Sequence, residues 1–275
     1  MNRMSLRKFL VVLTVLAAPV AAASPLAPSV IAADNGASIS FTSLHQDYKE
    51  FYAGTVPDSE SGNIDGVGAT FKALMPNGVY SRLALQYSRG SDVYTGQTQG
   101  GVPVIGKTEN SIIDVGMRLG RAFGFPYRTA LAPYATLGWH SWRRGLGGAE
   151  PYDEYYHDFW IGAGLLGQWA PVGPLVLSAY GSIGRIVSAH MMTSGLSSYG
   201  IPDQEYGLGS TTRYKLGADV DYAVTPLVHV EAGADYLRFG YGQSAVNSLP
   251  GGGMSLEPES TTKQVLYRIG IDFFF

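Results

Sequence analysis

Apolar and polar residues alternate with a period of two along most of the chain. That is the spacing of strands showing one face to an apolar medium and the other to water. Within 66–75 the odd positions carry Val67, Ala69, Phe71, Ala73 and Met75, while the even ones include Gly66, Gly68, Thr70 and Lys72. After the turn residues Pro76, Asn77 and Gly78, the alternation resumes with Leu83, Leu85 and Tyr87, and later with Ile113, Val115, Met117 and Leu119. The last run sets Val265, Tyr267, Ile269, Ile271, Phe273 and Phe275 against Gln264, Arg268, Gly270 and Asp272. The pattern predicts ten segments, at about 38–48, 64–75, 79–90, 109–121, 129–142, 155–169, 174–187, 211–223, 226–240 and 262–275.

The connections at 76–78, 122–128, 170–173 and 224–225 are short. Those at 49–63, 91–108, 143–154, 188–210 and 241–261 are long and rich in Gly, Ser and Pro. Strict alternation of short and long predicts an all-β fold, a transmembrane antiparallel β-barrel of about ten strands with short periplasmic turns and long extracellular loops. The opposite face carries Lys72, Arg82, Asp114, Arg118, Lys215, Asp219, Asp221, Glu231, Asp235, Arg268 and Asp272. In a barrel these point into the lumen and pair there, whereas in a soluble sandwich they would form a dense charged outer face. Trp139, Trp169, Tyr222, Phe273 and Phe275 near segment ends fit interfacial girdles. Ten strands lie closer to barrels filled by side chains than to open channels of 16–18 strands, so a narrow selective channel is a secondary reading.

The N-terminus supplies the route to such a location. Arg3, Arg7 and Lys8 precede an apolar run from Phe9 to Val20, and Ala21-Ala22-Ala23 gives a small-residue cleavage pattern before Ser24. Residues 1–23 read as a secretory signal peptide, with a second cleavage position near 33, and 34–275 as one barrel domain in the bacterial outer membrane. The apolar run is shorter than the ~20 residues a spanning helix needs. Without the signal, 16 basic residues face 22 acidic ones, which excludes a nucleic-acid footprint. The chain has no Cys, so disulfides, thiolate metal sites and cysteine nucleophiles are excluded. Its 36 Gly and 18 Tyr suit β structure and leave room in a narrow lumen.

Candidate chemistry is sparse. No zincin, P-loop or serine-hydrolase motif occurs. Asp219 and Asp221 share one strand face, and Lys215 and Arg268 are expected to hold them in ion pairs rather than free for acid–base work. His140 and Ser141 are neighbours on a strand and so face opposite sides. His45, His157 and His229 lack the clustered spacing of a metal site, and neither metal nor cofactor is expected. The stretch 143–157, read as an outer loop, holds Arg143, Arg144, Tyr152, Asp153, Glu154, Tyr155, Tyr156 and His157. Arg and Tyr are favoured at binding hot spots, so Arg143, Arg144, Tyr152, Tyr155 and Tyr156 are candidates for ligand binding. Contact of Arg143 and Arg144 with lipopolysaccharide phosphates is the alternative.

The C-terminal alternation ending in Phe275 resembles the terminal signal of bacterial outer-membrane barrels, which implies the barrel-assembly machinery as a partner. Tyr222-Ala223-Val224-Thr225-Pro226, continuing through Val228, Val230 and Glu231, resembles the hairpin between strands eight and nine of the omptins, ten-stranded outer-membrane proteases. Leu137-Gly138-Trp139 carries a weaker similarity. In that family an Asp-x-Asp at the outer end of strand three faces an Asp-x-His at the outer end of strand seven across a water. Asp92-Val93-Tyr94 and Ser188-Ala189-His190 stand at the corresponding places, so the resemblance implies Asp92 and His190 as a catalytic pair. Each motif lacks one acid, and His190 has no neighbouring carboxylate to orient it. The expected role is therefore structural, binding or surface interaction through the extracellular loops, with outer-membrane lipids and lipopolysaccharide around the barrel and an unidentified extracellular ligand. The alternative is an omptin-like endopeptidase with a divergent site.

Overall fold

The computed structural model describes residues 24–97, 102–147 and 151–275, so the signal segment 1–23 lies outside the described residues. Ten long strands close into an antiparallel barrel. They are β1 (Gly36–Phe51), β2 (Ser59–Leu74), β3 (Val79–Gln97), β4 (Pro103–Arg121), β5 (Thr129–Leu146), β6 (Tyr152–Val172), β7 (Leu175–Ser194), β8 (Thr212–Ala223), β9 (Val228–Tyr241) and β10 (Glu259–Phe274). Phe41 on β1 pairs with Val67 on β2 on one side and Ile269 on β10 on the other, which closes the ring. Leu216 on β8 likewise pairs with Gly181 on β7. Closure leaves no free strand edge, the condition for spanning a bilayer with strands.

The predicted alternation is the observed inside–outside pattern. Outward side chains form an exposed apolar band, with Ile39 68%, Phe41 76% and Leu216 60% accessible. A water-facing surface does not tolerate such a continuous band, whereas a lipid-facing one requires it. The turn after β2 is closed by Gly78, whose φ of +85° suits only glycine, and whose N–H donates to Met75 O at 2.8 Å. Between β8 and β9, the Thr225 hydroxyl accepts from Val228 N–H at 3.0 Å.

Two corrections to the sequence reading follow from strand length. The strands run well past their predicted outer ends, and the stretch read as a loop at 143–157 is mostly β5 and β6. Above the apolar band the outward positions turn polar (His45, Asp47 and Lys49 on β1, Lys107 and Glu109 on β4), so the hydrophobic signal stops while the hydrogen-bonded ladder continues.

The lumen is filled in layers. At the periplasmic mouth a short helix, α1 (Pro28–Ala33), buries Val30 and Ala33 against the inward residues Tyr80, Tyr134 and Leu166. Asn35 ties it to the wall, accepting from Leu74 N–H at 2.9 Å and donating to Leu74 O at 3.0 Å. The sequence reading gave this uncharged stretch no structural role. Toward the outer end, Trp142 stacks on Tyr156 at 5.3 Å and Tyr156 on Tyr241 at 5.5 Å, packed among Ile64, Ile112 and Ile186.

Candidate functional site

All eleven charged residues assigned to the lumen occupy inward positions, and most meet in one network. Lys72 Nζ donates to Glu231 at 3.0 Å and also to Asp272. Arg268 binds Asp235 at 2.8 Å, Glu231 at 3.3 Å, and Asp219, while Lys215 reaches Asp235 at 3.0 Å. The partner of Asp221 is neither Lys215 nor Arg268 but His229, at 2.8 Å, so the two acids of the Asp-x-Asp pair are held separately. Asp221, Glu231 and Asp272 bring carboxylate oxygens within 4.8 Å of one another, but the ammonium of Lys72 already lies against two of them. Arg82 donates to Thr70 Oγ1 at 3.4 Å, and the Arg118 guanidinium lies over the rings of Tyr134 and Tyr180, 5.0 Å and 4.1 Å from their centres.

A second cluster fills the outer mouth, above the apolar band. Arg144 projects inward from β5 and is fully buried. It binds Glu60 at 2.6 Å, Glu50 at 3.3 Å and Glu154, with its guanidinium 4.4 Å from the centre of the Tyr48 ring. Tyr156 Oη donates to Glu257 at 2.6 Å. Four carboxylates therefore share one cation, and at Glu50, Glu154 and Glu257 burial outweighs its attraction. Desolvation pushes Glu50 up to about 7, and raises Glu154 and Glu257 as well. Asp92 on β3 stands beside this cluster, accepting from Gln46 Nε2 at 3.4 Å, with its other oxygen buried and unpartnered. Burial, reinforced by Glu60, raises it to about 7.

His190 lies near the outer end of β7 but on its outward face, opposite to that of Asp92. A β-bulge between Ile186 and Ser188 leaves Val187 without a partner on β6, where Trp160 pairs with Ile186 and Phe159 with Ser188. The extra residue reverses the facing of everything beyond it. Ser188 and His190 turn outward, with Ser188 Oγ 3.2 Å from His190 Nε2, while Ala189 and Met191 take the buried inward positions. Asp92 faces in and His190 faces out, so the wall of the barrel separates them and they do not form a water-bridged pair.

The five binding candidates divide similarly. Arg144, Tyr152 and Tyr156 face inward as members of the acidic cluster, with Tyr152 Oη donating to Glu154 at 3.2 Å. Arg143 and Tyr155 face outward around Asp153, at 2.8 Å and 3.3 Å. Phe275 is 66% exposed and stacks on Phe71 at 5.6 Å, at the periplasmic end of the band. His140 is buried and paired with Asp114 at 2.9 Å, and Ser141 faces the other way. Glu50, Glu60 and Glu257 were missed by the sequence reading. Glu50 shows the available signal, because it continues the even, inward register of β1 one turn of the pleat beyond Tyr48.

The closed ten-stranded barrel superposes on the outer membrane protease OmpT from Escherichia coli with a TM-score of 0.57, covering 93% of this chain and 99% of that one at 12% identity. The fold is that of the omptin barrel. The β domain of the Bordetella autotransporter BrkA (TM-score 0.41, 13% identity, 88% of this chain and 100% of that one) is more distant. So is the translocator domain of the autotransporter NalP from Neisseria meningitidis (0.40, 13%, 98% and 94%). No protein-family model and no curated protein sequence matches the chain. The protein is an outer-membrane β-barrel of omptin-like architecture. At the outer end of its seventh strand, the inward positions hold Ala189 and Met191 rather than ionisable groups.

Proposed function

We propose that this barrel is a surface-interaction protein that binds a macromolecular partner through its outer rim. The observation that supports this reading is a set of apolar side chains exposed beyond the lipid band. Ile105 is 78% and Met254 77% accessible, and Tyr52, Val56, Val93 and Val246 are also exposed. Ile105 and Val93 are diagonal neighbours on the outward face of the β3–β4 hairpin, beside Lys107 and beyond Glu109. Polar residues below them keep lipid from covering this surface, and an aqueous rim retains such residues at a cost that a partner would relieve. The aromatic layer beneath the mouth favours recognition at the rim over passage through the lumen.

The omptin fold and the inward Asp92 favour a second reading, an endopeptidase whose partner for Asp92 is not His190. One set of measurements separates the two. Vesicles carrying the folded barrel should be captured by surfaces coated with extracellular-matrix or serum proteins, and the double substitution Val93→Ser with Ile105→Ser should reduce capture about tenfold. Capture no better than that of empty vesicles, or unchanged in the variant, sinks the rim reading. Turnover of a fluorogenic dibasic peptide in lipopolysaccharide-containing vesicles, lost on Asp92→Asn, would replace it with the protease reading.

A further inference from the structure

We propose that the middle of the lumen contains a binding site for a tetrahedral oxyanion of the sulfate or phosphate class, built around Arg118. A cavity of about 100 Å3 lies between the periplasmic ion-pair network and the outer aromatic layer, and four cations line it: Arg82, Arg118, Arg213 and Lys215. Two acids line it against these four cations, and each is already shared: Asp235 pairs with the lining Lys215, and Asp114 with His140 and, more loosely, with the lining Arg213. Asp235 is held by Lys215 at 3.0 Å, by Arg268 at 2.8 Å and by the Tyr180 hydroxyl. Asp114 accepts from His140 at 2.9 Å.

What remains is a surplus of donors. Arg118 is 8% exposed, and its guanidinium sits 4.1 Å from the centre of the Tyr180 ring and 5.0 Å from that of Tyr134. Stacking of this kind satisfies the faces of a guanidinium and leaves its in-plane N–H groups free. Among the described residues no side chain accepts a hydrogen bond from Arg118. Arg213 shows the same arrangement: it is stacked 4.6 Å from the Trp160 ring centre, its nearest acid is 3.8 Å away, and its Nη1 is buried without a partner. The indole N–H of Trp160, beside the same cavity, is also buried and unpartnered.

Buried donors without acceptors are costly, and cations without counter-charge more so. Water would satisfy the hydrogen bonds but leave the charge. A compact oxyanion answers both, because its several acceptor oxygens match forked donors arriving from different strands. The volume suits it: about 100 Å3 is several times the ~10–15 Å3 that a single ordered water needs, enough for a polyatomic ion.

The test uses the folded barrel in detergent, with chloride as the reference anion at constant ionic strength. Because the lumen is capped at both ends, sulfate or phosphate is supplied both during refolding and afterwards. Either anion should raise the unfolding temperature saturably, and crystals grown with selenate should show an anomalous peak between Arg118 and Arg213. Arg118→Gln should abolish the saturable rise. Trp160→Phe, which keeps a ring under Arg213 but removes the donor, should weaken the apparent affinity about tenfold and serves if Arg118→Gln does not fold. A response no different from chloride, equal responses in wild type and Trp160→Phe, or a cavity holding water alone would overturn the proposal.

Discussion

At the outer mouth, the balance of charge around Arg144 sets how the protein responds to pH. Glu50 keeps its proton up to about pH 7 instead of the usual 4.5, because burial outweighs the guanidinium beside it. Between those values the folded state binds more protons than the unfolded one. Stability of the mouth therefore falls as pH rises through the window from 4.5 to about 7, and the loss is complete above it. Glu154 and Glu257 shift in the same direction and add to the effect. Amide exchange at the outer ends of β1 and β6, corrected for the intrinsic rate, should be slower at pH 5 than at pH 8, and Glu50→Gln should shrink that difference. Equal protection at the two pH values in wild type would show that the cluster is not buried as described. The same logic separates Arg144 from Arg143. Adjacent in sequence, one is an enclosed counter-ion and the other an outward surface group.

Among the elements, β7 decides the site. One unpaired residue at Val187 moves Ser188 and His190 from the lumen to the outside, because facing in a strand depends only on the parity of the residue count. The chain has no Cys, so single cysteines report facing cleanly. A bulky membrane-impermeant maleimide added to intact cells should modify His190→Cys rapidly and leave Ala189→Cys and Met191→Cys protected. The opposite labelling pattern would return His190 to the lumen and revive its pairing with Asp92. Strand existence and facing were legible in the lower half of the barrel, where each outward apolar residue has lipid to face. The upper halves were not, since Lys49, Glu109 and Arg143 make both faces polar there. The bulge had no signal, because Ile186-Val187-Ser188 reads as ordinary strand sequence.

For the whole molecule, the membrane itself is the tested quantity. Phe41 stands near the middle of the outward apolar band and is 76% exposed. Phe41→Arg should lower the stability of the barrel in lipid vesicles by about 2–4 kcal/mol, the cost of a cation at mid-bilayer on a barrel's lipid face. Urea titration in vesicles reads the change, and an unaltered midpoint would mean that this face meets water. The same substitution inside the lumen would meet water, counter-charges or both, so its cost depends on side rather than on residue type. Closure also explains why the interior is layered: ten strands enclose a space narrow enough for side chains and the six-residue helix α1 to block it at separate heights.

By itself the sequence determined the period-two faces, the rhythm of short and long connections, the lumen charges and hence a barrel in an outer membrane. Those properties are local, because each strand's apolar set must meet lipid whatever its neighbours are. Only the tertiary structure decided which charges meet. Asp221 found His229 rather than a cation from the predicted pair, and Arg144 collected Glu50, Glu60 and Glu154 from three other strands. Arg118 was left over two tyrosine rings, with no carboxylate among the described residues in hydrogen-bond or ion-pair reach. Partnership across a closed barrel depends on the register of all ten strands at once, and a single bulge or an unforeseen plug helix changes it without altering the alternation that announces the fold.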